Sequence, residues 1–322
     1  MITDPETSRK GSISLSEKAG TDREPVPRFF RKTAAGHFVG PFFEIRETRM
    51  ALVVATHATL CLAMLRSVLA TRYVTPLREG GSLPAIVEAD DLGLYVLKFH
   101  GAGQGPLALA AEVIAGEIGR VLGLPVPELV LVHLDEAFGR NEQDEEVRDL
   151  LRASVGLNLA MDYLPGSLMF DPAAGDRADA EFASRLVWFD SFVTNVDRTA
   201  RNPNLLCWHK KLFPIDHGAA LYFHHNWQNL EAAAVARFSP IREHVLLRWA
   251  SELAAAHEAA RPLLTRNALE RILALAPDEW LLPAPGAETP GAKRTGYVEY
   301  FLRRLESNGF LEEAVEARAH LV

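Results

Sequence analysis

The chain has 322 residues, 48% hydrophobic and 24% charged, ordinary globular values that exclude a disordered or fibrous protein. Its length is too great for one small core, so one large two-lobed domain or two smaller ones is implied. Thirty-four basic against 42 acidic residues leave a net charge of −8, which excludes the global field of a non-specific nucleic-acid binder. Cys61 and Cys207 are the two cysteines. Two are too few for a disulfide scaffold, and no Cys-x-x-Cys pair offers a zinc ribbon; a reducing, cytoplasmic interior fits this usage.

Residues 1–49 read as a disordered extension, because Met1 to Arg31 is rich in Thr, Ser, Lys, Glu, Asp and Pro and has almost no apolar periodicity. No apolar stretch follows a short basic start, so it makes a poor signal peptide. Met50 to Ala70 (MALVVATHATLCLAMLRSVLA) is then long enough to cross a bilayer, with Arg46 and Arg49 flanking it. His57 and Arg66 argue against insertion, a central charge costing about 2.5–3.5 kcal/mol. An apolar helix over 50–67 packed on the main domain accounts for the same composition, as does a working start at Met50 or Met64.

Beyond Thr71, AIVE (85–88) and LYVLKF (94–99) predict two strands joined by the turn ADDLG. Leu107 to Leu122 places apolar residues at 107, 111, 114, 118, 121 and 122 on one helical face, opened by Pro106 and closed by Gly123. Residues 124–134 predict a strand punctuated by Pro, 136–146 a charged surface loop, and 154–163 a strand ending in a turn at Leu164-Pro165-Gly166. Helices are predicted over 178–196, 240–260, 263–275 and 296–308, and the charged C-terminal RRLESNGFLEEAVEAR as a solvated face. A strand-rich first half before a helix-rich second half indicates an α+β fold of two lobes.

The densest polar segment is NVDRTARNPNLL (195–206), followed by LFPIDHG (212–218). The intervening LLCWHKKLFPI reads as a hairpin that returns Asp216 beside Asn202. Phosphoryl transfer needs a carboxylate at the attacking hydroxyl and oxygen ligands for magnesium on the nucleotide phosphates. Turn chemistry accounts for Asn and Pro at 202–204, but not for a second acidic turn at the matching distance.

DRTARN (197–202) followed by IDHG (215–218) resembles the HipA-like kinases and their relatives, the phosphatidylinositol 3- and 4-kinases. Those carry an Asp-x-His-x-x-Asn catalytic loop and a later Ile-Asp-Phe-Gly type metal motif. The resemblance covers roughly 75–260 and implies an α+β, bilobal protein kinase-like fold, with a small β-rich N-lobe (68–163) and a helical C-lobe (164–322). It puts Asp197 in the place of the catalytic Asp, and Asn202 and Asp216 in those of the metal ligands. Two positions depart from the pattern: Thr199 stands for His, and His217 for Phe.

A kinase-like site also needs a strand Lys on the nucleotide phosphates and a helix Glu to hold it. Lys98, among apolar neighbours in YVLKF, suits the first role, with a snorkelling surface Lys as the alternative. The helical wheel does not choose between Glu112 and Glu117; the resemblance favours Glu112 and leaves Glu117 to pair with Arg120 on the surface. Gly80, Gly81 and Ser82 precede the first hairpin strand, where the relatives place their phosphate loop. Gly101 to Pro106 fails the G-x-G-x-x-G spacing and reads as a loop closing over the nucleotide. Met161 to Gly166, Tyr163 and Leu164 included, becomes the hinge, with backbone reading the adenine edge and Met161 or Leu164 packing on the ring; a core strand ending in a turn accounts for the segment equally well.

The expected function is therefore an ATP- and Mg²⁺-dependent phosphotransferase acting on a hydroxyl acceptor, protein Ser or Thr being the first to test. The alternative is a catalytically weak or inactive nucleotide-binding regulatory module. No helical His-x-x-x-His pair supports a zinc hydrolase, no Gly-x-Ser-x-Gly elbow a serine hydrolase, and His224-His225 reads as a surface pair.

Overall fold

The computed structural model describes residues 64–77, 83–103, 105–140, 142–282 and 289–321. The expectations for residues 1–63 and for Gly80, Gly81 and Ser82 lie outside these residues. Arg66 and Ser67, at the end of the predicted apolar helix, instead begin a strand.

That strand, β1 (Arg66–Pro76), joins β2 (Ala85–Ala89), β3 (Leu94–Lys98), β4 (Leu129–Leu134) and β5 (Gly156–Asp162) in a closed barrel of order β1-β2-β3-β5-β4. The β1–β4 pair is parallel and the others are antiparallel. Alternation along each strand decides what the barrel encloses. Val87, Tyr95, Leu97, Val130, Val132 and Ala160 fill it. Val96, between Tyr95 and Leu97, belongs instead to the larger core that continues into the helices. Lys98, two residues on, shares that outward face.

Helix α1 (Gly105–Val121) packs there. Every residue from Leu109 to Gly119 is buried, not a single face, because its many Ala and Gly residues let neighbours approach from all sides. Glu117 and its Arg120 partner, 3.5 Å away, are consequently not a surface couple, since the Glu117 side chain is 4% exposed. The predicted charged loop is shorter than expected. Asp144 caps a helix, α2 (Glu145–Ala153), by accepting from the backbone N–H of Glu146 and Val147.

The second part is mostly helical. A small sheet of β6 (Leu168–Met169), β7 (Leu205–Trp208) and β8 (Lys211–Pro214) accompanies α3 (Ala180–Phe192), α4 (Leu230–Val235), α5 (Leu253–Ala260), α6 (Arg266–Leu273), α7 (Asp278–Leu281), α8 (Pro290–Ser307) and α9 (Gly309–Ala319). Residues 240–260 are not one helix: 3₁₀ turns at Ser239–Glu243 and Leu247–Trp249 precede α5. The C-terminus is not merely a solvated face either. Phe310 is fully buried, and the buried Arg304 donates to the carbonyls of Ser191 (2.8 Å) and Phe192 (2.9 Å), the last residues of α3. Among the described residues no helix is long and apolar enough to cross a membrane.

His224 is also no surface residue. It is fully buried, its Nδ1 3.0 Å from the Tyr297 hydroxyl and its Nε2 3.2 Å from His225 Nε2. Burial first, then the charges of His225 and Lys293, push its pKa down to about 3. The folded protein thus resists a proton that the unfolded chain accepts near pH 6.5, so stability is lost as pH falls through that value. Between pH 7 and pH 5 this one residue is expected to remove about 2 kcal/mol. Urea unfolding at both pH values tests it: the difference shrinks by that amount in His224→Gln, and an unchanged difference refutes the assignment.

Candidate active site

Strand β3 ends on its outward face at Lys98, and the ammonium lies between two carboxylates from distant parts of the chain. Its Nζ donates to Glu112 Oε2 at 2.5 Å and to Asp216 Oδ1 at 2.7 Å. Glu112 is 2% exposed, Lys98 14% and Asp216 44%, so the cluster opens to solvent on the Asp216 side. Burial disfavours the ammonium, but Asp216 and Glu112 together outweigh it and hold Lys98 above the ordinary lysine range. In turn the Lys98 charge holds Asp216 below the usual carboxylate range against burial. Glu112 rather than Glu117 therefore meets the lysine. Burial drives Glu117 up to about 7, against the pull of Arg120.

Asp216 follows β8, which pairs with β7 across a two-residue tip, His209 and Lys210, both at positive φ as a tight hairpin turn requires. At its open end Ile215 N donates to Asn204 O at 3.0 Å, so the chain at 216 returns beside the loop that precedes β7. In that loop Asn202 Nδ2 donates to Asp197 Oδ2 at 2.8 Å, and Asn204 Nδ2 reaches the same oxygen at 3.3 Å. The Asn202 amide oxygen takes no part in the Asp197 bond. The Asp216 carboxylate is half-exposed. Thr199, where the related motif has His, closes the loop locally: its Oγ1 accepts from Asn202 N at 3.3 Å, and its N–H donates to Asn202 O at 3.0 Å.

Beneath these loops lies a fully buried network centred on Arg198 and Asp190. Asp190, on the last turns of α3, accepts from Arg198 Nε at 2.6 Å, Asn195 Nδ2 at 2.9 Å and His244 Nε2 at 2.9 Å. Burial opposes its charge, but Arg198 and His244 prevail and hold its carboxyl far below the usual range. The remaining Arg198 nitrogens donate to Asn204 O, to Ile215 O at 3.1 Å and to His217 Nδ1 at 3.0 Å. One guanidinium thereby joins α3, the loop carrying Asp197 and both ends of the hairpin.

The family model of the HipA-like kinases matches residues 71–314. This chain belongs to that family. The match runs past the roughly 75–260 seen from motifs, taking in α8 and the first part of α9. Among solved structures, this HipA-like kinase is similar to the Helicobacter pylori proinflammatory kinase CtkA at 15% identity and a TM-score of 0.46, over 77% of this chain and 97% of that one. It is similar to the Golgi casein kinase at 10% identity and a TM-score of 0.38, over 83% and 75%. No curated protein matches the chain.

Two further segments of this HipA-like kinase border the cluster. The loop after β3 curls back so that Ala102 and Gly105 line a small cavity with Lys98, Leu109 and Gly218. Gly105 takes φ +69° there, and a Cβ on Gly101 would meet the Ala153 carbonyl at 2.7 Å, so both positions need glycine. The 161–166 segment leaves the barrel with Met161 in the larger core and Leu164 also buried. Tyr163 N donates to Leu94 O at 3.0 Å, and Trp208 Nε1 to Pro165 O at 2.9 Å. Sequence reasoning passed over Asp190, Arg198, Asn204 and His244. An Arg beside the motif Asp was a signal available for Arg198, whereas nothing local marks His244.

Proposed function

We propose that this HipA-like kinase transfers the γ-phosphoryl group of ATP to a hydroxyl acceptor, with a Ser or Thr of a protein as the first acceptor to test. The observation that carries the reading is Lys98 held between Glu112 and Asp216. A cation placed by a buried carboxylate and opening toward solvent is a ready partner for nucleotide phosphates. ATP then lies between the barrel and the helical part, as in a two-lobed kinase. Met161, Tyr163 and Leu164 lie along its base, and the loop after β3, with Gly101 and Gly105, lies beside its phosphates.

Asn202 and Asp216 suit Mg²⁺, which takes oxygen ligands and completes its shell with water and phosphate oxygens. A bound Mg²⁺ supplies neutralisation of the charge on the phosphates. Asp197, oriented by the amides of Asn202 and Asn204, faces the acceptor. The acceptor oxygen bonds to the γ-phosphorus, the bond to the β–γ bridging oxygen breaks, ADP departs, and the hydroxyl proton passes to Asp197.

The test is ADP release and phosphate incorporation by the purified chain with ATP, MgCl₂ and a generic Ser/Thr protein acceptor. Asp197→Asn, which keeps the size and the amide contacts, is expected to lower the rate about 10²–10⁴-fold. Magnesium-dependent ATP binding without turnover in the wild type would instead establish the regulatory module.

A further inference from the structure

Asp216 carries an unusual backbone. Its φ is +53°, in the left-handed region that non-glycine residues seldom occupy, although Asp tolerates it better than most. Both neighbours of Asp216 are held by the same side chain: Arg198 Nη1 donates to the carbonyl of Ile215, and Nη2 to the imidazole of His217. The first contact is to backbone and is available to any residue at 215. The second exists only because residue 217 offers an acceptor, which the Phe of the related Ile-Asp-Phe-Gly motif lacks.

The imidazole sits awkwardly for any other purpose. Arginine only donates, so His217 Nδ1 must accept and its proton must sit on Nε2. That Nε2 is buried with no hydrogen-bond partner. The ring is fully buried, stacks edge-on against Phe189 with centroids 5.5 Å apart, and would bring its Cδ2 within 3.8 Å of a Cβ on Gly116. An aromatic hydrocarbon fills such a slot without stranding a polar N–H. The stranded Nε2–H makes sense only if the other nitrogen is needed.

We infer that His217 is a positioning residue for Asp216: its Nδ1 completes the Arg198 clamp that holds the left-handed turn and aims the carboxylate at Lys98 and at the metal position. The inference rests on the phosphotransfer reading for the identity of the metal site. It concerns only how this chain presents one of its ligands.

Two variants separate positioning from packing. His217→Phe keeps the filled slot and removes the acceptor. His217→Asn leaves space but places its amide oxygen near the former Nδ1. Mn²⁺ is the probe, titrated by electron paramagnetic resonance in the presence of a non-hydrolysable ATP analogue, alongside kcat and KM for ATP. His217→Phe is expected to weaken Mn²⁺ binding and lower kcat by about tenfold or more, with KM for ATP unchanged, while His217→Asn stays within about threefold of wild type despite a lower Tm. A packing role predicts the reverse order, and that order, or a His217→Phe protein that binds Mn²⁺ like wild type, overturns the inference. A wild type that binds Mn²⁺ with this His217 dependence but does not turn over leaves the inference standing and removes the transfer reading. A wild type that binds no Mn²⁺–nucleotide removes both.

Discussion

Asp190→Asn is expected to destabilise the protein by about 3–5 kcal/mol, the usual result of removing one partner from a buried ion pair. Both side chains of the Asp190 and Arg198 pair are 0% exposed. The substitution therefore strands a guanidinium among backbone carbonyls and a neutral imidazole. It also turns an acceptor of three hydrogen bonds into a group that presents an N–H₂ to Arg198, Asn195 or His244. A domain's whole stability is about 5–15 kcal/mol, so the loss takes a large share of it. Urea unfolding at pH 7 measures it directly. Because the depressed Asp190 pKa contributes stability above the unfolded carboxylate value, the difference between the proteins narrows only as pH falls below about 4. A cost under about 1 kcal/mol, the scale of an exposed pair, would mean that the network is not the support described.

Lys98→Met is expected to lower kcat/KM by about 10²–10³-fold, the scale seen when one aimed electrostatic contact to developing charge is removed. The methionine keeps most of the length of the side chain and none of its charge, so the loss falls chiefly on charge. It also leaves Glu112, 2% exposed, without its cation, and a stability cost of about 3 kcal/mol accompanies the kinetic one. Asp216, on the open side at 44% exposure, contributes little to that cost. Steady-state kinetics and thermal unfolding of the same preparation separate the two effects. Glu112→Gln, which retains a hydrogen bond to Lys98, is expected to fall between wild type and Lys98→Met. Turnover by Lys98→Met within about tenfold of wild type would remove Lys98 from the phosphate-binding role.

Elements with a dominant local signal were legible from residues alone. The hairpin of β2 and β3 follows from β-branched and aromatic residues around ADDLG. The hairpin of β7 and β8 follows from two short apolar runs about His209 and Lys210. Helix α2 was missed because EEVRDLLRA buries only Val147 and Leu151, a stripe too narrow to stand out from its charges. Strand β1 was hidden inside an apolar run, and shifts in its pairing with β2, between Ala70 and Arg72 and between Tyr73 and Thr75, break the alternation that marks a strand. Residues 240–260 have helical composition, but the His244 side chain is committed to Asp190 and Val245 N to Arg198 O at 3.1 Å. Those tertiary bonds hold the chain in 3₁₀ turns where a continuous α-helix was expected.

The residue types of the motif loops, the face of β3 on which Lys98 stands and the hairpin that returns Asp216 toward Asn202 were all determined by the sequence itself. Each depends on neighbours within a few residues, through strand alternation, turn chemistry or motif spacing. The helical wheel left open which glutamate meets Lys98, because α1 is enclosed on all sides; the family resemblance favoured Glu112, and the tertiary structure decided it. It also decided that Arg198 grips both neighbours of Asp216 and that His244 reaches Asp190. Those contacts join residues 14 to 54 positions apart, and such pairings follow from packing across the whole core, which no local pattern encodes.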